Sequence, residues 1–544
     1  MRAMLAAERI RAVPRRRLRL ILMLLGGTLL VALSTVFSLL VPVAVLLACG
    51  TATGLLLRSQ QRALTFQQSP SVLTFPERVA FFNLRLFVPL TALSLQTHGI
   101  SLLLMVPTGL AAASLGPTLR RMTLPSMLLP LMAATFVEWA SGGVVRAFLP
   151  AAALLAVLVS LSHVRQEAFP EALLAVLDSV AIYLIVGLVG YFVLGLRAPI
   201  DLNHSGALPS TIPLFGTRII FPFSSALTTP PAMAAAYLCA FAILVRVPRH
   251  SVDVFRIVGA CAAVLVILAA NGRAAMIAAV ILGLVLYLRP QAAARYALPA
   301  ALLVLFLPVW WPLASLSAAP LLSTVADNVP ALLTRGRADT LVSLQGRALI
   351  WSATLDEVRS FDFGRLLLGF GASGQTRWSP SPDYFSVVGR LVVDPISATA
   401  HNSLLQQVVD GGFVGAALLV LVAKGAFDAG ARVLRRERAR AVAASLGLLL
   451  SLCLTGSNEA TLASSLAQET WWLFLVVLVV LASYEASLDS PVAVRRPKAS
   501  SRLPVRRSVL LPRDVLPLMM ASAVSDREPW HSAPAPASVP RASR

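Results

Sequence analysis

His401 lies in the stretch Ser397 to Gln406, at the end of the longest polar segment between two hydrophobic runs. The residues that follow, Leu404 to Ala423, are apolar enough to enter a membrane. His401 is therefore expected at the mouth of a transmembrane helix. Imidazole takes up or releases a proton near neutral pH. Arg218, Arg273 and Arg347 are expected on the same side of the membrane as His401. A guanidinium stays charged and presents a planar fork of donors to anionic oxygens. A proton carrier and several fixed cations at one membrane face could together handle an anionic group at that surface. Two plainer readings stand beside this one: His401 as an interfacial helix cap, and Arg218 and Arg273 as side chains snorkelling to lipid headgroups.

Composition dictates the elements that must hold these residues. The chain has 544 residues, 57% hydrophobic and 13% charged, with a mean hydropathy of +0.78. Soluble domains carry about 45–50% apolar and about 25% charged residues, so the bilayer is the main solvent here. Apolar runs of about 18–25 residues recur along the chain, the length of a spanning helix. The alternating segments of about 10 residues that mark a transmembrane barrel are absent. The expected fold is all-α: a polytopic integral membrane protein with roughly 12–14 transmembrane helices and a long outer loop containing amphipathic helices. Cys49, Cys239, Cys261 and Cys453 all lie in apolar runs and form no disulfide or zinc pattern. The net charge of +21 reads as cytoplasmic anchoring by the positive-inside rule and not as a nucleic-acid surface.

The expected organisation is a basic cytoplasmic N-terminus (1–19), transmembrane helices over 20–315 with an outer loop near 197–228, and a long extracytoplasmic loop over 316–400. C-terminal transmembrane helices (401–485) and a basic, Pro-rich cytoplasmic tail (486–544) follow. Every dense arginine block then falls inside, whereas Arg218, Arg273, Arg335, Arg337, Arg347 and His401 fall outside. Helical periodicity runs from Asn328 to Arg359. The glycine cluster Gly369 to Gly374 reads as a flexible turn. It follows no clear strand and precedes no Lys-Ser/Thr pair, so nucleotide binding is not expected. No paired histidines or clustered acids make a metal set, and no cofactor is expected. His98 and His204 read as loop residues, and Glu138 and Glu459 as solvated acids near helix ends. Arg85 lies inside a span with no partner that the sequence names.

Three segments carry a resemblance. Gly346 to Trp351 is followed by Leu367 to Gly371. Thr399 to Gln406 is followed by Gly411, Gly412 and Gly415. Asn271-Gly272-Arg273 ends a helix ahead of the long outer loop. Over roughly residues 210–480 the chain resembles the O-antigen ligase and polymerase superfamily of bacterial membrane glycosyltransferases. It departs from the pattern at Gly272-Arg273-Ala274, where that family often has Ser-Arg-Gly.

The resemblance implies transfer of a polyprenyl-diphosphate-linked glycan to an acceptor hydroxyl on a glycan, lipid or protein. The reaction would take place at the extracytoplasmic face of the bacterial cytoplasmic membrane, without metal and with inversion. His401 would be the base, expected neutral at a helix N-terminus among arginines. Arg218, Arg273 and Arg347 would bind the diphosphate, with Asn402 and Gln406 in support. For Arg347 the alternative is pinning an outer-loop helix. Ligase and polymerase roles both remain open, and a transporter or flippase of lipid-linked glycans is the rival class.

Overall fold

A computed structural model describes residues 73–94, 124–140, 144–196, 198, 218–224, 226–246, 253–311, 347–372, 374, 399–463 and 469–489. The basic N-terminus, the first two expected spans, His98, His204, Arg335, Arg337 and the C-terminal tail lie outside the described residues. So does most of the long loop.

The described residues are helical, with no strand among them. In chain order the helices are α1 (Phe75–Ser94), α2 (Leu124–Ala140), α3 (Val144–Leu161), α4 (Phe169–Phe192), α5 (Thr229–Val245) and α6 (Val254–Ala270). Next come α7 (Arg273–Ile277), a π-turn (Ala278–Leu282), α8 (Gly283–Leu288) and α9 (Pro290–Leu305). Then follow α10 (Arg347–Arg359), α11 (Phe363–Leu368), α12 (Ser403–Glu437), α13 (Arg440–Gly456) and α14 (Glu469–Leu488). Proline opens α4, α5 and α9. There its missing N–H removes no intrahelical bond and its fixed φ suits the first turn.

Among the described residues, Gln166–Phe192, Ser403–Glu437 and Glu469–Leu488 are long and apolar enough to cross a membrane. Several helices of 10–17 residues are also apolar, the longest of them near the lower limit for a span. The outward face of α6 exposes Val254, Ile257, Val258, Val264 and Leu265. This i, i+3/i+4 stripe facing away from the core is what a lipid-facing helix presents.

Helix α13 lies at the centre, packed against α5, α9 and α12. It runs antiparallel to α5: Gly447 touches Ile243 and Cys239, while Arg440 and Arg246 line one cavity. The Ala-rich sequence of α5 allows this close approach, because helices in a membrane associate through small-residue packing. At the other end Gly456, the last residue of α13, lies against Ser403, the first of α12.

Arg85 has a partner after all. Its Nε is 3.3 Å from Asp178 Oδ2, and Arg256 Nε is 2.9 Å from Asp178 Oδ1. All three side chains are buried, and they tie α1, α4 and α6 together.

Candidate active site

The site is built where α12 begins. Asn402 is the N-cap: its Oδ1 accepts from the Leu404 and Leu405 N–H groups at 2.9 and 3.0 Å, which satisfies two of the helix's open donors. Its Nδ2 donates to the Ser457 carbonyl at 2.9 Å and the Leu305 carbonyl at 3.3 Å. One side chain thus joins the start of α12 to the ends of α13 and α9. Gln406 acts similarly. Its Oε1 accepts from the Ala400 N–H at 2.9 Å, and its Nε2 donates to Asp410 Oδ1 at 3.0 Å.

His401 precedes this cap with φ of 47°, a left-handed conformation uncommon for a residue with a side chain. Its N–H donates to Thr399 Oγ1 at 3.3 Å, and its carbonyl accepts from the Trp351 indole at 3.4 Å. The imidazole Nδ1 is 2.9 Å from Glu459 Oε2. On the other side of that carboxylate, Arg347 donates through Nη2 to Glu459 Oε1 and through Nε to the Asn458 carbonyl at 2.8 Å. Arg347 and Trp351 lie four apart and share a face of α10. One reaches Glu459, and the other supports the His401 backbone.

Burial by itself would push the Glu459 carboxyl up. The charges of Arg347 and His401, and the hydrogen bonds from both, outweigh it and hold the group at about 2. Glu459 is therefore an acceptor only at neutral pH, and the hydrogen in its bond to His401 sits on Nδ1. In a neutral imidazole the lone pair is then on Nε2. The His401 side chain is 23% exposed.

This differs from the expected surroundings in two ways. Glu459, read from the sequence as a solvated acid, is enclosed and bridges Arg347 to His401. Arg347, considered as a phosphate ligand or as a pin, has its Nε and Nη2 directed to Asn458 and Glu459, which is the pinning geometry. Glu138, also read as solvated, is buried near the end of α2.

A second unforeseen feature lies further along the same helix. Helix α12 is broken at Gly412, with φ of 60° and ψ of −161°. The Gly369 to Gly374 turn docks on the break: the Phe370 N–H donates to the Val409 carbonyl at 2.9 Å and the Gly371 N–H to the Asp410 carbonyl at 2.8 Å. The Gly374 N–H donates to Asp410 Oδ1 at 3.1 Å. The turn expected to be flexible is thus a fitted backbone contact. It unites two of the segments singled out in the sequence.

Arg218 and Arg273 lie in a neighbouring corner. Asn271 ends α6 in the left-handed region, and Arg273 opens α7. The Ile219 N–H donates to the Ala269 carbonyl at 3.0 Å, tying the Arg218 segment to that turn. Pro231, at the start of α5, packs on Gly272. Because α5 and α13 are antiparallel, this corner is at the same end of the bundle as His401. The structure brings His401, Asn402, Gln406, Arg347 and Glu459 into one connected network. Arg218 and Arg273 form a separate pair of segments at that end. Among the described residues no group of three or more His, Cys, Asp or Glu could hold a metal.

The described residues form an all-helical membrane protein in which a carboxylate backs a histidine at a helix mouth. Residues 232–420 match a family model described as O-antigen ligase, so this part of the chain is similar to that family. The matched region holds Arg273, Arg347, His401, Asn402 and Gln406, while Arg218 and Glu459 lie outside it. No curated protein and no solved structure matches the chain. The family supports a general activity as a membrane glycosyltransferase of the O-antigen ligase kind.

Proposed function

We propose that the protein transfers a glycan from a polyprenyl diphosphate to an acceptor hydroxyl at the extracytoplasmic face of the cytoplasmic membrane, as a step in surface polysaccharide assembly. The observation that carries this reading is the Arg347–Glu459–His401 relay, with Nε2 of the histidine left to accept a proton. The acceptor oxygen attacks the anomeric carbon while His401 Nε2 takes its proton. The bond from the anomeric carbon to the diphosphate oxygen breaks, and the lipid diphosphate leaves with the electron pair. Attack opposite the leaving group inverts the anomeric centre. Glu459 orients the ring and stabilises the imidazolium as it forms, the role an acid takes in a nucleophile–base–orienter set. Arg218 and Arg273 hold the diphosphate and stabilise its growing charge. Two fixed guanidiniums supply the countercharge without metal.

The test is transfer by purified protein in nanodiscs, with a polyprenyl-diphosphate oligosaccharide, a panel of hydroxyl acceptors and EDTA. Wild type should release polyprenyl diphosphate together with a larger glycan, and His401→Ala should lose about 10²–10⁴-fold in rate. Equal turnover in the variant would remove His401 from the chemistry. Donor movement across sealed vesicles with no bond formed to any acceptor would point to a flippase.

A further inference from the structure

The end of the bundle away from His401 holds a cavity of about 1000 Å³ between α5, α9, α12 and α13. Arg246, Arg295, Arg435, Arg438 and Arg440 line it. The one acid in the lining is Asp428, and it is paired with Lys424. The arginines on the last turns of α12 divide by face. Arg432 and Arg436 turn to α14 and pair with Glu485 and Asp489. Arg435 and Arg438 turn to the cavity, where neither they nor Arg440 or Arg295 has an ion pair with a described carboxylate. Positive charge is therefore concentrated around a space instead of being neutralised across it. The wall is apolar, formed by Ile243, Leu298, Phe427 and Leu434.

We infer that this cavity binds an anionic phospholipid, with its phosphate among the arginines and acyl chain along the apolar wall. Two further observations favour a lipid over a soluble anion. From the break at Gly412 to Arg435 the helix rises roughly 35 Å at 1.5 Å per residue. A hydrocarbon layer is about 30 Å thick, so a helix that spans from the break carries these guanidiniums to headgroup level. Tyr287 and Tyr296 are both exposed near the same helix ends, as interfacial tyrosines are. Arg295 lies over the Tyr296 ring at 5.4 Å. By the arginine distribution this is the cytoplasmic end, where anionic headgroups meet basic pockets between helices. The binding is independent of the transfer reaction at the other end.

Full-length protein is exchanged into micelles containing phosphatidylglycerol, cardiolipin or phosphatidylcholine, and retained lipid is counted by native mass spectrometry beside the thermal midpoint. Anionic lipid should be retained over phosphatidylcholine. Arg435→Gln/Arg438→Gln/Arg440→Gln should weaken that retention by about a hundredfold, while Arg432→Gln/Arg436→Gln should leave it in place. If the triple variant does not fold, Leu298→Trp, which fills the apolar wall and keeps every charge, should also expel the lipid. Equal retention of both lipid classes, or undiminished retention in the triple variant or in Leu298→Trp, would overturn the inference. Millimolar inorganic phosphate raising the midpoint as far as phosphatidylglycerol does would assign the cavity to a soluble anion and overturn the lipid.

Discussion

Glu459 stays ionised across the neutral range, and this determines how His401 presents itself. A carboxylate at Nδ1 leaves Nε2 for the acceptor. Glu459→Gln keeps the shape but can turn its amide N–H₂ toward the ring, so transfer should fall by at least about tenfold with less effect on KM. A fall in kcat/KM carried by KM alone would make Glu459 a substrate contact instead. The same carboxyl makes a stability prediction. Its folded value of about 2 lies below its ordinary 4.5, so its contribution is full above about pH 4.5 and is lost as pH falls toward 2. Wild type should exceed Glu459→Gln by on the order of 2–3 kcal/mol at pH 7, and the gap should close between pH 4.5 and 2. Thermal midpoints in detergent across that range would show it, and a gap independent of pH would mean that the ion pairs are not its source. His401 was legible because a polar residue at the head of an apolar run is a local signal. Glu459 was not, because its pairing spans 58 residues and no periodicity links two helix ends so far apart in the chain.

At the scale of elements, the break in α12 is the feature that shapes the site. A Cβ on Gly412 would lie 2.3 Å from the Leu367 carbonyl, and one on Gly369 would lie 2.5 Å from backbone of Asp410 to Gly412. Both glycines also combine positive φ with ψ of −161°, a region essentially reserved for glycine that costs on the order of 1–3 kcal/mol before any clash. Gly412→Ala and Gly369→Ala should each lower the thermal midpoint and the yield of folded protein, whereas Gly364→Ala, whose Cβ meets only Asp362 Oδ1 at 3.3 Å, should not. Wild-type stability in both would show that the contact between α11 and α12 adds nothing. Asn402 allows a finer separation. Asn402→Asp keeps the cap and loses both Nδ2 donations, and Asn402→Ala loses both functions. If the cap dominates, Asp should recover about 1 kcal/mol over Ala; if the link to α13 and α9 dominates, the two should be equally poor. Most helices were legible from their apolar runs: α6 ends at the Asn271 turn, where the sequence ends a helix. The break was not, since glycines are common in membrane helices. The Phe370 and Gly371 N–H groups, which donate to the Val409 and Asp410 carbonyls beside the break, come from a segment that no local pattern in α12 announces.

At the scale of the whole molecule, the charge inside the bundle constrains how α1, α4 and α6 can assemble. Asp178 accepts from Arg85 and Arg256 on separate helices, and Arg256 also offers its carbonyl to the Tyr237 hydroxyl of α5 at 3.0 Å. The pairing could not be read from the chain, because Arg85 and Asp178 are 93 residues apart and each alone looks like a cost in an apolar run. Removing the acid leaves two buried guanidiniums without their shared counter-ion. Asp178→Asn should then cost about 3–5 kcal/mol, enough to deplete folded protein from the membrane. Replacing all three groups by apolar residues of similar size, as in Arg85→Met/Asp178→Leu/Arg256→Met, removes charge and counter-charge together. It should recover most of that loss and leave transfer unaffected, since the cluster joins α1, α4 and α6 and the residues named around His401 lie on other segments. Folded yield and transfer rate measured on the same membranes separate the possibilities. A triple variant as depleted as Asp178→Asn would mean that the charges themselves specify helix pairing. A well-folded triple variant without transfer would mean that this cluster acts on the site from within the bundle.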